Sequence, residues 1–342
     1  MRDMQTGCSS KPVVFVDLFC GMGGFGYGAE RAGATCILAV DNWLPALKVH
    51  RANNGHTPMM LTLGSPDWYV WLNKFLEPYR EKYHIHIHGS PPCQAISNAS
   101  SRDPKEGMVL VYWYLDLVKR VEPDSWSMEN VIPVRKLLPE GTPSMNLNAA
   151  DFGVPQTRMR TYAGEGWVPV KTHTEENWVS VVDALPGLLH EIEGNLMARA
   201  DADEWTAVLN TGGAGPSNSR RARSGDKAVT QPMLTMCNNN PSLRLVKLEA
   251  TGSNSNRRQD RTILEPSKTI CGSGNQVGPR IFDHNDTPVK IRSLKMEETL
   301  VIQGFPNTYD LSEASTQKER WTMIGNAVPP LVAKGVIRGI IR

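Results

Sequence analysis

Residues 13–24 read Val-Val-Phe-Val-Asp-Leu-Phe-Cys-Gly-Met-Gly-Gly, and this order decides the fold class. The apolar, β-branched run Val13 to Leu18 has the character of a strand buried on both faces. Gly21, Gly23 and Gly24 follow at once, then a helical stretch over 25–31 that Gly33 closes. Working outward, the same alternation recurs. A strand over 36–40 ends in Asp41, and helical patterns cover 44–53 and 68–83. A third strand over 85–88 runs into Gly89-Ser-Pro-Pro-Cys-Gln94, and a helix over 108–121 precedes a strand over 125–128. Strands separated by helix-length spacers argue for βαβ units and an α/β fold with a doubly wound, mostly parallel sheet. Such sheets bind ligands beyond the carboxyl ends of their strands. The polar clusters 19–24, 41–43, 89–94 and 129–131 all fall at such ends.

A chain of 342 residues is long enough for two domains and a substantial core. Its polar N-terminus has no signal-peptide pattern, and no uninterrupted apolar run reaches the ~20 residues that cross a bilayer, so a soluble cytoplasmic protein is expected. Cysteines at 8, 20, 36, 93, 237 and 271 form no CxxC pair, which argues against a zinc site, a redox motif or a disulfide framework. The net charge of +2 says little, but its distribution is uneven. Between 216 and 280 stand eleven Lys/Arg against four Asp/Glu, in a stretch rich in Gly, Asn and Ser. That composition suits either a phosphate-contacting surface or a solvated loop region. Helical periodicity weakens after about residue 172. Two similar fragments, 229–235 and 264–270, read as short strands after proline turns, and an apolar helical pattern returns over 326–341.

The glycines at 21, 23, 24, 26 and 28 do not match the GxGxxG dinucleotide fingerprint. They still let a ligand approach the backbone, and Asp41 is placed to accept hydrogen bonds from ribose hydroxyls. Cys93 follows Pro91-Pro92 in a rigid loop at a strand end. A thiol with a pKa of about 8.5 needs activation to act as a nucleophile, or is simply a small buried residue. Met128-Glu-Asn-Val131 puts a carboxylate at another strand end, and on an extended segment Gln156, Arg158 and Arg160 share one face. His84, His86 and His88 alternate as metal ligands could, but a buried strand position and the lack of a Cys or Asp partner argue against a metal. Trp113 and Trp126, inside regular elements, read as core anchors.

The ordered set DLFCGMGG (17–24), GSPPCQ (89–94), ENV (129–131), QTRMR (156–160), QGFP (303–306) and GNAVPP (325–330) resembles the C5-cytosine DNA methyltransferase family. The match covers roughly 13–170 and 288–335, and 179–186 is similar to the segment that follows the family's catalytic half. The resemblance implies S-adenosylmethionine as cofactor and double-stranded DNA as partner, with the protein acting as a monomer on DNA in a bacterial or phage context. It implies a Cys93 thiolate attacking cytosine C6, with Glu129 acting at N3, Arg160 holding the base oxygen and balancing charge, and Arg158 nearby. The target base would be flipped out of the duplex. Cofactor contacts would come from Phe19, Gly21, Gly23, Asp41, Trp43, Pro91, Leu110 and Asn326. Residues 1–172 plus 318–342 would form the catalytic domain and 173–317 a smaller, loop-rich, β-containing target-recognition domain, with QGFP and Arg292 at its edge.

Three departures from the family pattern stand out. Asp41 replaces the usual Glu, the segment 130–156 is short, and Asp67 is a weak match to the third cofactor motif. Alternatives are a transfer-RNA cytosine-C5 methyltransferase and a catalytically silent DNA-binding relative. The basic middle region favours DNA over the first, and retention of Cys93, Glu129, Arg158 and Arg160 argues against the second. A nicotinamide dehydrogenase on the same sheet type lacks the glycine fingerprint.

Overall fold

A computed structural model describes residues 10–92, 104–187, 205–210, 226–228, 233–234, 242–247 and 290–341. The chain divides into two compact units, one of Met1–Asn148, Met159–Thr172 and Asp310–Arg342, the other of Ala149–Arg158 and His173–Tyr309.

The first unit is built on β1 (Val13–Leu18), β2 (Thr35–Asp41), β3 (Met59–Met60), β4 (His84–Gly89), β5 (Ser125–Asn130), β6 (Ser144–Asn148) and β8 (Met159–Glu165). Their order is β3-β2-β1-β4-β5-β8-β6. Strands β1 to β5 run parallel, whereas β8 is antiparallel to both β5 and β6. The order reverses between β1 and β4, so the glycine turn after β1 and the loop after β4 lie at the topological switch point. Every residue of β1 is buried, as expected of a parallel strand covered on both faces.

Helices cover the two faces differently. One face carries Val14, Val16, Leu18, Ile85 and Ile87. They pack with Leu72 and Leu76 of α3 (Trp68–Leu76) and Tyr114 and Leu117 of α4 (Pro104–Val121). Full burial of each such aliphatic side chain contributes about 1.5–3 kcal/mol. On the other face Phe25 of α1 (Gly24–Glu30) stacks on His88 at 3.6 Å between ring centroids and lies edge-on to Phe15 at 5.9 Å. A Cβ at Gly28 of α1 would overlap the carbonyl of Pro330, so glycine is what lets the helix Pro330–Ile341 pack closely there. That contact draws the chain's end into the first unit.

Several sequence expectations need adjusting. The helical pattern over 68–83 yields α3 only to Leu76, followed by a 3-10 turn, Glu77–Tyr79, with Pro78 at its start. Proline removes a backbone donor and clashes with the preceding turn, which ends the α-helix. The pattern over 326–341 is also two elements, because Asn326 ends the helix Gln317–Asn326 and Pro330 starts the next. The stretch Gln317–Ile341 has the length and mean apolarity of a membrane span, but it is two helices, and most of its apolar window is buried within the protein. Despite its shortness, the segment after β5 still forms a 3-10 helix, Ile132–Lys136, and the strand β6. Trp113 and Trp126 are only partly buried, with the Trp113 indole N–H donating to the Ser65 carbonyl at 2.8 Å.

In the second unit β9 (Trp205–Asn210), β10 (Asp226–Ala228), β12 (Ser242–Lys247) and β13 (Lys290–Ser293) form an antiparallel sheet in the order β10-β9-β12-β13. A two-residue strand β11 (Met233–Leu234), inside the first proline-turn fragment, pairs in parallel with β7 (Gln156–Thr157). The second fragment, 264–270, lies outside the described residues. Gln303, at the end of the helix Met296–Ile302, accepts a hydrogen bond from the Gln156 amide at 3.0 Å.

Candidate active site

The glycine turn after β1 is held in a conformation that the sequence makes affordable. Phe19, Gly21 and Gly23 have φ of 60, 52 and 94°, and only Phe19 lacks the freedom of glycine there. A left-handed non-glycine residue costs about 1–2 kcal/mol and persists only where its surroundings fix it. The fixing contacts are a hydrogen bond from Cys20 N–H to Val40 O at 3.0 Å and one from Gly23 N–H to Cys20 O at 2.9 Å. Phe19 also packs edge-on against Trp113, 6.0 Å between centroids.

Asp41 ties this turn to the end of β2. Its Oδ2 accepts from Gly21 N–H at 2.8 Å and its Oδ1 from Trp43 N–H at 2.9 Å. Each oxygen can accept a further bond, which suits a hydroxyl-bearing ligand. A Cβ at Gly21 would meet nothing within 4 Å, so open space adjoins the turn, whereas one at Gly23 would collide with Asn54 and His50 beneath. An acceptor pair beside an open, glycine-lined turn fits a ribose-containing cofactor. Half-buried Trp43 caps α2 (Leu44–Asn53), Leu110 on α4 lies against Gly64, and Asn326 is exposed at its helix end. Among the described residues no hydrogen bond links Asn326 to the turn.

The second cluster stands at the ends of β4 and β5. Asn130 donates from Nδ2 to the Pro91 carbonyl at 3.1 Å and accepts at Oδ1 from Val131 N–H at 2.9 Å, clamping the start of the Pro-Pro loop to β5. Glu129 is buried, and its Oε1 lies 3.2 Å from Arg160 Nε on β8, at an angle that makes an ion pair without a hydrogen bond. Arg160 Nη1 also donates to the carbonyl of Met159 at 2.8 Å. Cys93 and Gln94 lie outside the described residues. Arg158 is buried and belongs to the second unit; its N–H bonds back to Gln156 O at 3.0 Å. That local turn separates β7 from β8, so Gln156, Arg158 and Arg160 do not share one extended strand.

Three groups escaped the sequence reading. Asn130 was visible in the ENV motif but not as a clamp. Asp17 is fully buried, and neither of its carboxylate oxygens accepts a well-aligned hydrogen bond. Burial, and then the nearby Asp41 charge, push its pKa well above the usual carboxylate range, with the Gly26 N–H only partly offsetting this. The third is a relay under the glycine turn: Glu30 Oε1 to His56 Nδ1 at 2.9 Å, His56 Nε2 to His50 Nε2 at 2.7 Å, and His50 Nδ1 to Gly21 O at 3.3 Å. Burial chiefly lowers the His50 pKa to about 3, so its ring is neutral. The fold brings Glu30, at the end of α1, beside His50 of α2 and His56 just after it; spacing alone carries no signal for the relay. Burial, helped by Asp17, raises the thiol pKa of both Cys20 and Cys36, which keeps them protonated and inert. Among the described residues no group of three His, Cys, Asp or Glu side chains is arranged to hold a metal.

Comparison with known proteins gives the chain's family. The family model described as C-5 cytosine-specific DNA methylase matches residues 13–138 and 144–342. A type II methyltransferase of Haemophilus influenzae, M.HindV, is 29% identical over 95% of both chains. Another, M.HgiDI of Herpetosiphon aurantiacus, is 35% identical over 92% of this chain and 89% of its own. Among solved structures, a prophage-encoded DNA modification methyltransferase from E. coli superposes with a TM-score of 0.51 at 19% identity, covering 96% of this chain and 98% of that one. At that identity the likeness concerns the fold.

Proposed function

Since the chain belongs to the C-5 cytosine-specific DNA methylase family, we propose that it is the modification enzyme of a type II restriction–modification system, methylating cytosine C5 within a specific duplex sequence. The restriction–modification context follows its relatives, which are type II methyltransferases. The observation that carries the reading is the Glu129–Arg160 ion pair at the end of β5, beside the strand that leads through Pro91-Pro92 to Cys93.

Cytosine C5 is a weak nucleophile and needs activation. Cys93 adds as thiolate to C6 while Glu129 supplies a proton or hydrogen bond at N3, and the electron pair moves to C5. Arg160 holds the Glu129 carboxyl and the base oxygen, with Arg158 as a second cation. S-adenosylmethionine, when bound, supplies the electrophilic methyl group that C5 takes. Solvent water acting as base then takes the C5 proton, and that electron pair re-forms the C5–C6 double bond as the Cys93 thiolate leaves C6. Phe19, Gly21, Gly23 and Asp41 form the cofactor's glycine-lined, hydroxyl-accepting edge, completed by Trp43, Pro91, Leu110 and Asn326. Attack on C6 needs a face of the base that stacking hides, so the target is flipped out. The basic segment 216–280 contacts the duplex and reads its sequence. The enzyme works as a monomer in the cytoplasm of a bacterial or phage-infected cell.

Bisulfite sequencing of DNA from cells expressing the protein would identify the methylated site. A duplex carrying 5-fluorocytosine at that site should then trap the enzyme covalently, because fluorine cannot leave as the proton does. An active enzyme that forms no such adduct would refute the covalent route. Transfer RNA added as competitor should leave methylation of the duplex unchanged.

A further inference from the structure

The three alternating histidines of β4 are joined by serines into one unbroken hydrogen-bonded chain. His84 Nε2 lies 2.8 Å from Ser125 Oγ, which lies 2.8 Å from His86 Nδ1. His86 Nε2 lies 2.9 Å from Ser127 Oγ, which lies 2.8 Å from His88 Nδ1. His88 Nε2 lies 2.9 Å from Ser90 Oγ. The chain starts at the half-buried N-terminal end of β4, passes through His86, Ser127 and His88, all at 0% exposure, and emerges at the catalytic edge. Six residues of strand span about 20 Å. The β4–β5 register pairs His86 with Ser125 and His88 with Ser127 and ends at Gly89 and Met128, one residue before Ser90 and Glu129, which share no direct hydrogen bond.

We propose that His84, Ser125, His86, Ser127, His88 and Ser90 form a proton wire through the sheet that equilibrates the Glu129 carboxyl with solvent on the far side of the protein. The proposal rests on the methyltransferase reading above. DNA bound over the carboxyl edge separates Glu129 from bulk water, and a wire opening at the opposite edge bypasses that cover.

The chemistry of the links permits this. A neutral imidazole has one N–H donor and one acceptor nitrogen, and a serine hydroxyl both donates and accepts. Burial lowers the pKa of His86 to about 3 and that of His88 well below its ordinary value, keeping both rings neutral near pH 7. With each ring protonated at Nε2, a proton arriving at His84 Nδ1 drives the His84 Nε2 proton to Ser125. The Ser125 proton passes to His86 Nδ1, and the sequence repeats through Ser127 and His88. Ser90 finally takes a proton from His88 and gives its own hydroxyl proton to a bridging water, which passes one on to the Glu129 carboxylate. One proton enters, one leaves, and every ring has exchanged tautomers; return of a proton from Glu129 resets the polarity.

Other groups face the wire. Asp124 and Lys11 act electrostatically on His84 from its open end. Asp17 on β1 is in register with His88, and Phe15 with His86. The Phe25 ring of α1 covers His88, and Tyr162 on β8 is in register with Glu129. A metal-binding role for the three histidines has no support in this geometry, since the ring nitrogens described are taken up by hydroxyls.

The test is His86→Gln, whose amide can bridge two hydroxyls but cannot pass a proton by exchanging tautomers. Methyl transfer to genomic DNA lacking the modification is measured in H2O–D2O mixtures, with thermal melting as the folding control. The expected result is a kcat about tenfold lower with an unchanged KM for S-adenosylmethionine. A curved dependence of the wild-type rate on deuterium fraction should become linear in the variant. His84→Gln, at the half-exposed entrance, should act in the same direction and serves if the buried variant does not fold. A folded variant of either kind with wild-type kcat and a curved dependence overturns the wire while leaving the methyltransferase reading intact. A wild-type protein that makes no 5-methylcytosine in any genomic DNA overturns both.

Discussion

Glu129 on β5 and Arg160 on β8 meet across an antiparallel strand pair, with Arg160 Nε 3.2 Å from Glu129 Oε1 and both side chains largely buried. Removing one partner of a buried pair leaves the other charge uncompensated, at a cost of about 3–5 kcal/mol. Arg160→Ala is therefore expected to lower both stability and kcat. Glu129→Gln keeps the shape but also leaves the Arg160 charge uncompensated, so it should lower the melting temperature as well as lowering kcat by at least about a hundredfold. A Glu129→Gln enzyme with wild-type kcat would remove this carboxyl from the chemistry.

Cys93→Ala should abolish methyl transfer while calorimetry still shows S-adenosylmethionine binding, because the cofactor contacts proposed above do not include the Cys93 thiol. Methylation at the wild-type rate would exclude Cys93 as nucleophile.

Asp41 sits where two backbone N–H groups fix its carboxylate beside the open glycine turn. Asp41→Ala should weaken cofactor binding about tenfold or more and loosen the turn, since each lost charge-assisted hydrogen bond is worth about 1.5–3 kcal/mol. Equal affinities of variant and wild type would place the ribose elsewhere.

Stability should fall on acidification below pH 6.5. His50, His84, His86 and His88 all have pKa values lowered by burial, to about 3 for His50 and His86. Unfolded histidines bind protons from about pH 6.5 downward while these folded rings do not, so each strongly shifted group removes up to about 1.4 kcal/mol per pH unit. Asp17 acts oppositely: its raised pKa makes the folded state the better proton binder, so its contribution falls as pH rises from the unfolded value of 3.8. Four rings outweigh one carboxyl, and urea titrations between pH 7 and 5 should show the net loss. A flat profile would mean that the rings are charged or exposed.

Gly28→Ala should destabilise the protein by several kcal/mol, because the added methyl overlaps the Pro330 carbonyl, which is backbone and cannot swing away. Thermal melting reads the effect directly, and an unchanged midpoint would show that α1 and the C-terminal helix can separate at no cost.

The alternation of strand and helix, the glycine turn after β1 and the polar clusters at strand ends are local patterns, and they were legible in residues 13–131. Helix ends were less so: Pro78 and Pro330 cut patterns that periodicity alone would have continued. The ordered motifs likewise pointed to the methyltransferase family, to Glu129 and Arg160, and to Cys93, which lies outside the described residues.

What the sequence determined by itself was therefore everything carried by neighbours along the chain: period, turn chemistry and motif order. Partnership across strands was decided only by the tertiary structure. Arg160 reaches Glu129 because β8 pairs antiparallel with β5, with Tyr162, two residues on, opposite Glu129. The histidines that resembled metal ligands became links in a hydroxyl chain because β4 and β5 pair with Ser125 and Ser127 in register. Those serines lie about forty residues away in sequence (39 for Ser125 and His86). A register is fixed by burial of the whole sheet, and no local pattern encodes it.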